Sequence, residues 1–461
     1  MVKAKRARLL ITLGAGVLLL LGTLIAVYFA RGYRPSMGGT TPIEGTGLLA
    51  ASSYPEQSSV YIDDKLTTTT NDTINLLPGT YRVKISNEGF IPWVKDLLVE
   101  KELVTLTNAR LFPAVPSLTA LTTLGAKEPT PSPDGQKIAY LVSTADNGDS
   151  NGIYVLLTGA NPLGLERKAT QVVRTTAQIN LASVVLTWSP DSKQILVLLP
   201  SQDQKTVRAS YLLDADRLNQ LSLANDVTVR LPFIYSQWEQ ELTRRDRDLI
   251  KNFPEFMVNL ASSSATNIYF SPNGEKMLYT ATKTLVIPDG LKPKLASINP
   301  ALQTRTIEPG QVYVYDSKED TNYIIGTATI AGDNRQQPML TKRLLADTSQ
   351  TSTPAGQQPQ TLSTFLQDNL TPLQTAQAFM AYYHGIYTNS PVWYPTSRHL
   401  IWFTDDKITI REYDNTNQAV VYSGPLHNHF ASPSPDGHRL YFLTNLNQTD
   451  LPENIYILDL K

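Results

Sequence analysis

Five times along the chain a short turn built on proline gives way to an apolar run of strand length. The turns are Ser132-Pro133-Asp134-Gly135, Ser189-Pro190-Asp191-Ser192, Ser271-Pro272-Asn273-Gly274, Tyr394-Pro395-Thr396-Ser397 and Ser434-Pro435-Asp436-Gly437. The runs that follow are Ile138 to Val142, Ile195 to Leu199, Met277 to Tyr279, Leu400 to Phe403 and Leu440 to Leu443. A second apolar run usually comes next and often closes on aspartate, as in Val312-Tyr313-Val314-Tyr315-Asp316 and Ile455-Tyr456-Ile457-Leu458-Asp459. Apolar runs of this length bounded by turn residues predict strands. The turn chemistry is local: proline presets φ, Asp or Asn caps with its side chain, and glycine accepts positive φ.

A strand pair of this kind has no way to bury its own faces, so the copies must pack on one another. From about residue 116 to 461 the pattern predicts a β-propeller, and this stretch resembles TolB-like and WD-repeat-like propellers, whose blades carry the same turn. The motifs give five blades, or six if one has lost its signature, because the prolines stand 57, 82, 123 and 40 residues apart where a blade needs about 40 to 50. The long intervals predict insertions at about 215–262 and 329–385. In the first, Ser236 and Glu239 read as a capping box for a helix carrying Trp238, Leu242, Leu249 and Phe253 and stopped by Pro254. Its run Arg244-Arg245-Asp246-Arg247-Asp248 reads as a solvated face. The second insertion opens on a polar loop, 347–361, read as disordered, and ends in a helix with Thr371 as N-cap and Pro372 at its first position, running to about Tyr383. Leu118 to Leu124 is expected to pair with the last strand and latch the ring, hiding sheet edges.

Residues 45–113 alternate strands and turns. Val60-Tyr61-Ile62-Asp63, the run Leu77-Pro78-Gly79-Thr80-Tyr81, and Gly89-Phe90 with Trp93 beyond carry a resemblance to the PEGA domain, a small extracytoplasmic β-sandwich-like module. The eponymous motif is here Pro55-Glu56-Gln57-Ser58, and Asp64 stands where the family usually has glycine. Phe90 and Trp93 read as core beneath the sheet.

Leu9 through Ala30 carries no charge and is long enough to cross a hydrocarbon core of about 30 Å as a helix. Lys3, Lys5, Arg6 and Arg8 precede it, against Arg31 and Arg34 after it, so the positive-inside rule places the N-terminus in the cytoplasm. The apolar run exceeds that of a cleaved leader and ends on bulky Val27-Tyr28-Phe29, which favours an uncleaved anchor. The expected organisation is a cytoplasmic tail, 1–8, a transmembrane helix, 9–30, a Gly- and Pro-bearing linker, 31–44, the PEGA-like domain, and the propeller. The fold class is mainly β.

Chemistry is sparsely signalled. The chain has 40 basic and 41 acidic side chains and a net charge of -1, which argues against nucleic acid as a partner. Without cysteine there is no disulfide, zinc-thiolate site or thiol nucleophile. No Gly-x-Ser-x-Gly elbow and no Gly-Lys pair occurs, so neither an α/β-hydrolase nucleophile nor a P-loop is present. His427 and His429 have metal-ligand spacing but no signalled third ligand. The loop Asp146 to Gly152 is oxygen-rich, yet lacks the spacing of a calcium loop and reads as a hairpin turn. No cofactor or metal is expected. Trp188 and Trp393, at the turns, read as packing residues, whereas Tyr382, Tyr383 and Trp238 on the inserted helices are the candidate binding residues. The resemblance implies a non-catalytic, membrane-anchored binding or scaffold protein in the cell membrane, its bulk extracytoplasmic, with an envelope protein or cell-wall glycan as partner. The competing reading is a propeller hydrolase or lyase with its site at the channel mouth.

Overall fold

The computed structural model describes residues 2–30, 33–35, 43–143, 148–159, 169–176, 181, 183–202, 206–222, 225–293, 295, 299, 301–327, 370–384, 391–404, 406–427, 430–446 and 451–461. Most of the expected linker, the expected disordered loop and His429 lie outside them. The chain divides into two compact units, Met1–Leu111 with Lys294–Ala301, and Phe112–Pro293 with Leu302–Lys461.

In the first unit, helix α1 spans Val2–Ala30. Among the described residues no helix is long and apolar enough to cross a membrane; within α1 the side chains of residues 13 to 27 are described. Those of Leu18, Leu19 and Leu20 are all exposed. Strands β1 (Gly47–Ala51), β2 (Ser59–Ile62), β3 (Lys65–Thr69), β4 (Asp72–Leu76), β5 (Gly79–Ser86), β6 (Trp93–Val99) and β7 (Val104–Leu106) follow. They form two sheets, ordered β7-β1-β4 and β3-β2-β5-β6, with β7 parallel to β1 and all other pairs antiparallel. Burial alternates residue by residue along β1 and β2, the period-2 signature of a sheet with one covered face. The covered faces meet in a core of Leu49, Val60, Ile62, Val83, Ile85, Trp93 and Leu97, against which Phe90 packs. Between β2 and β3 the chain turns on Asp63 and Asp64, at φ +48° and +62°.

The second unit contains five sheets of three or four strands among its described residues. In chain order the first is β9 (Lys127–Pro131), β10 (Lys137–Val142), β11 (Gly152–Leu157) and β12 (Thr170–Arg174), and the second is β13 (Val185–Trp188), β14 (Gln194–Pro200) and β15 (Val207–Asp214). Helices α2 (Leu231–Ile250) and α3 (Glu255–Ser264) come next. The third sheet is β16 (Ala265–Phe270), β17 (Lys276–Ala281), β18 (Gln311–Asp316) and β19 (Thr321–Thr327). Helix α4 (Pro372–His384) precedes the fourth, β20 (Val392–Trp393), β21 (His399–Thr404), β22 (Lys407–Glu412) and β23 (Ala419–Ser423). The fifth joins β8 (Leu118–Ala120) to β24 (Ala431–Pro433), β25 (Arg439–Thr444) and β26 (Asn454–Asp459): β8 adds to β26 in antiparallel register, Leu118 opposite Leu458.

Second strands such as β14, β17 and β25 are buried at nearly every position. That explains their unbroken apolar runs: each sheet is covered on both faces, so alternation is lost. Polar groups on these strands are paired. Lys276 and Asp316 face each other across β17 and β18, Nζ to Oδ2 at 3.1 Å and both under a tenth exposed, with the Tyr413 ring 4.8 Å from the ammonium.

The helices correct two expectations. Helix α2 starts at Leu231, with Pro232 in its first turn, so Ser236 lies inside it and is no cap: proline at a helix start outcompetes a later serine. Pro254 does not merely stop a helix but stands as N-cap of a second one, α3. At α4, Thr371 Oγ1 accepts the N–H of Gln374 at 3.3 Å while Gln374 Oε1 accepts the N–H of Thr371 at 2.9 Å, a reciprocal capping box.

Candidate functional site

The repeated turns explain themselves. The serine hydroxyl donates to the Asp or Asn Oδ1 two residues on, at 2.5 Å in Ser132–Asp134, 2.6 Å in Ser189–Asp191, 2.7 Å in Ser271–Asn273 and 2.5 Å in Ser434–Asp436. The same Oδ1 accepts the N–H of Gln136, Lys193, Glu275 or His438, and the serine Oγ accepts the N–H that opens the next strand. For Asp191 and Asp436 partial burial pushes the carboxyl up, but the serine and backbone donors outweigh it and hold both below the ordinary carboxylate range. These aspartates are turn residues with their acceptors in use.

The turns also tie sheet to sheet. Trp188 donates its indole N–H to the Thr130 carbonyl at 2.8 Å, and Trp393, at the same place two sheets on, donates to the Tyr269 carbonyl at 3.2 Å. Ser192 and Ser397, at φ +61° and +58°, accept through Oγ the N–H groups of Asp134 and Asn273, at 3.2 and 3.0 Å. Tyr394 donates to the Gly437 carbonyl, and Tyr441 to the Thr158 carbonyl at 3.0 Å, which links the fifth sheet to the first.

Between the second and third sheets the inserted helices make the ties. Tyr235 and Trp238 of α2 enclose Phe379 of α4, with ring centroids at 5.7 and 5.6 Å, and this cluster seats on Leu196 and Leu198 of β14. Each such aromatic pair is worth about 0.5–1.5 kcal/mol beyond its area. Tyr235 donates to the Pro372 carbonyl at 2.9 Å, Thr187 to the Ala376 carbonyl at 3.3 Å and Tyr269 to the Ala381 carbonyl at 3.3 Å. The helices thus lie down on the sheets and do not project from them. Trp238 is 8% exposed; the structure places it in this internal cluster, where its ring offers no surface to a partner.

Where α2 and α4 meet the first strands of the third and fourth sheets and the repeated turns, a cavity of about 560 Å³ opens. Its lining includes Leu242, Arg245 and Asp246 of α2, Tyr382 and Tyr383 of α4, the turn prolines 133, 272, 395 and 435, Asp134, Phe270 and Trp393. Two of the three expected binding residues therefore reach one cavity. Asp246 corrects the reading of 244–248 as a solvated face: it is 2% exposed because it stands one turn from both Leu242 and Ile250, on the helix's buried stripe. Its Oδ1 accepts the Tyr382 hydroxyl at 2.5 Å. Burial raises the carboxyl to about 6, against the lowering effect of the Tyr382 hydrogen bond. Burial, together with the Asp246 charge, also keeps the Tyr382 hydroxyl well above the usual phenol range, and burial does the same at Tyr383. Arg245 points its charge elsewhere, Nε to Glu241 Oε1 at 3.0 Å and Nη1 to the Pro190 carbonyl at 2.9 Å.

His427 is held by Glu453 at 3.0 Å and Asn445 at 3.2 Å, and no group of three His, Cys, Asp or Glu that could hold a metal occurs among the described residues.

The PEGA domain family matches residues 46–114, the segment that carries the sandwich. No curated protein matches the chain. Among solved structures, TolB from Acinetobacter baumannii is similar at 12% identity and a TM-score of 0.20, over 82% of this chain and 59% of that one. A putative TolB from Agrobacterium tumefaciens is similar at 12% identity and a TM-score of 0.18, over 88% of this chain and 99% of that one. An acylaminoacyl peptidase from Pyrococcus horikoshii is similar at 10% identity and a TM-score of 0.18, over 73% and 39%. The chain thus spans 59% of the length of the first of these TolB structures, and likeness at this level says nothing about activity.

Proposed function

We propose that the protein is a membrane-anchored binding protein of the cell envelope, whose five sheets are the blades of a closed propeller that presents a recognition site on the extracytoplasmic side. The observation that carries this reading is the convergence of α2 and α4, the parts outside the repeat, on one cavity with a mostly apolar wall. Sites of a few hundred Å³ with a few placed polar groups are typical of ligand recognition. The anchor rests on the uncharged run from Leu9 to Ala30 behind four basic residues. In that arrangement the PEGA domain is the spacer or wall contact, and tethering raises the effective concentration of the ring near the membrane. The partner class is an envelope protein or cell-wall glycan. The competing reading, a hydrolase or lyase at the same place, would use Asp246, whose burial raises its carboxyl to about 6, as its acid or base.

Crosslinking in cells followed by mass spectrometry, on the intact chain and on a form lacking 116–461, tests the proposal. Loss of specific neighbours with the ring supports it; the same neighbours in both forms would mean that the ring is not the recognition element.

A further inference from the structure

One carboxylate in the cavity is only half used. Asp246 is 2% exposed; Oδ1 accepts the Tyr382 hydroxyl, while Oδ2 is buried and has no hydrogen-bond partner among the described residues. Leaving a buried acceptor unsatisfied costs about 1–3 kcal/mol, more for a charged one. The packing does not need an acid here: Leu242 and Ile250, one turn to either side, continue the same stripe with hydrocarbon. The adjacent cation, Arg245, is engaged by Glu241 and the Pro190 carbonyl. Tyr382, by donating its hydroxyl hydrogen bond to Oδ1, fixes the carboxylate and leaves Oδ2 as the acceptor. The rest of the lining is largely proline and aromatic ring, with Phe270, Tyr383 and Trp393 among its members, together with Arg245 and with Asp134, whose Oδ1 is taken up by its own turn.

We propose that this cavity binds a small organic ammonium with an apolar body, its N–H donors paired with Oδ2 of Asp246 and its hydrocarbon against the proline and aromatic wall. The chemistry selects on three counts. A cation supplies both the donor and the charge that Oδ2 lacks; aromatic faces attract a cation and repel an anion; and a cavity of about 560 Å³ matches a small molecule. The inference rests on the reading of the ring as a recognition element, but does not require the membrane anchor.

The test is calorimetric titration of the full chain in detergent with benzyl-, phenethyl- and cyclohexylammonium, with 3-phenylpropan-1-ol as a neutral shape match and phenylacetate as the anion. The expected result is saturable binding of at least one ammonium, with the alcohol weaker by about tenfold or more, the loss of one charged hydrogen bond, and no binding of phenylacetate. Asp246→Asn, nearly isosteric, should lower ammonium affinity by a similar factor with an unchanged circular dichroism spectrum. Equal binding of ammonium and alcohol would overturn the proposal, as would absence of binding by all three ammonium ions at about 10 mM, the very weak limit of useful recognition. Should Asp246→Asn fail to fold, the comparison of charged and neutral probes on the native chain still decides. Failure of ammonium binding while crosslinked neighbours depend on the ring removes the ligand class alone; ammonium binding with neighbours indifferent to the ring removes the partner-recognition reading alone.

Discussion

Replacing Asp246 by Asn should change how the stability of the sheet-bearing unit depends on pH, with a sign and size that follow from burial. The carboxyl titrates near 3.8 when unfolded and is raised to about 6 in the native chain. The native state therefore holds this proton more tightly. The contribution is fully present below about pH 4 and is lost as pH rises through about 6, after which both states are ionised and the loss is constant. At 1.36 kcal/mol per pH unit the gap is worth about 3 kcal/mol, of which roughly 2 kcal/mol falls between pH 4.5 and 7.5. Other carboxyls, such as Asp191 and Asp436, are lowered and pull the other way, so the quantity to measure is the difference between wild type and variant. Urea unfolding of both full-length chains in detergent, followed by tryptophan fluorescence at several pH values, gives it, since four of the five tryptophans, Trp188, Trp238, Trp393 and Trp402, lie in this unit. The variant should gain on the wild type as pH rises. A difference that stays flat, or that moves toward the wild type, would show that Asp246 is not a buried, destabilised carboxylate, and the reasoning about the cavity would fall with it.

Trp188→Phe and Trp393→Phe each remove an indole donor from a carbonyl of the preceding sheet and should each cost about 1–3 kcal/mol in the same unfolding assay. Lys276→Met leaves the buried Asp316 without its cation, Oδ1 still accepting the N–H groups of Lys318 and Glu319, and should cost about 3–5 kcal/mol in the same assay. Asp64→Gly relieves a residue at φ +62° and should stabilise the sandwich by up to about 1–2 kcal/mol, read as a higher melting temperature of that unit. Because the chain has no cysteine, Ser117→Cys gives a clean probe of topology: an impermeant maleimide added to whole cells should label it, and labelling only after lysis would contradict the proposed orientation.

How much of the fold could be read from the chain depends on where each sequence signal comes from. The turn-strand repeat was legible because its chemistry is local: Ser, Pro, Asp and Gly satisfy one another within six residues, as the hydrogen bonds from Ser132 to Asp134 and on to the N–H of Lys137 illustrate. The sandwich was legible for a related reason, since alternation along Val60 to Ile62 follows directly from one covered face. What escaped was non-local. Whether an inserted helix projects or lies down depends on partners far away in sequence, here Phe379 for Trp238 and Leu196 for both, and no short-range pattern records that.

The same distinction explains why the repeat's aspartates misdirect and Asp246 was passed over. A carboxylate in a Ser-Pro-Asp-Gly turn has its donors supplied by its neighbours, so its presence says nothing about a ligand. Asp246 sits in a run of alternating charge, Arg244 to Asp248, which reads as a solvated face if charges are counted and position is ignored. Its register says otherwise. Leu231, Ile234, Tyr235, Trp238, Leu242 and Ile250 mark the buried stripe of α2, and 246 falls on it, four residues after Leu242 and four before Ile250. An acid at such a position lacks local donors and gains one from Tyr382, 136 residues away, with its second oxygen still unmatched among the described residues. Two acids, Glu239 and Asp246, interrupt that stripe, and what sets Asp246 apart is the oxygen left unmatched among the described residues, which gives the interruption a chemical direction toward a cationic donor.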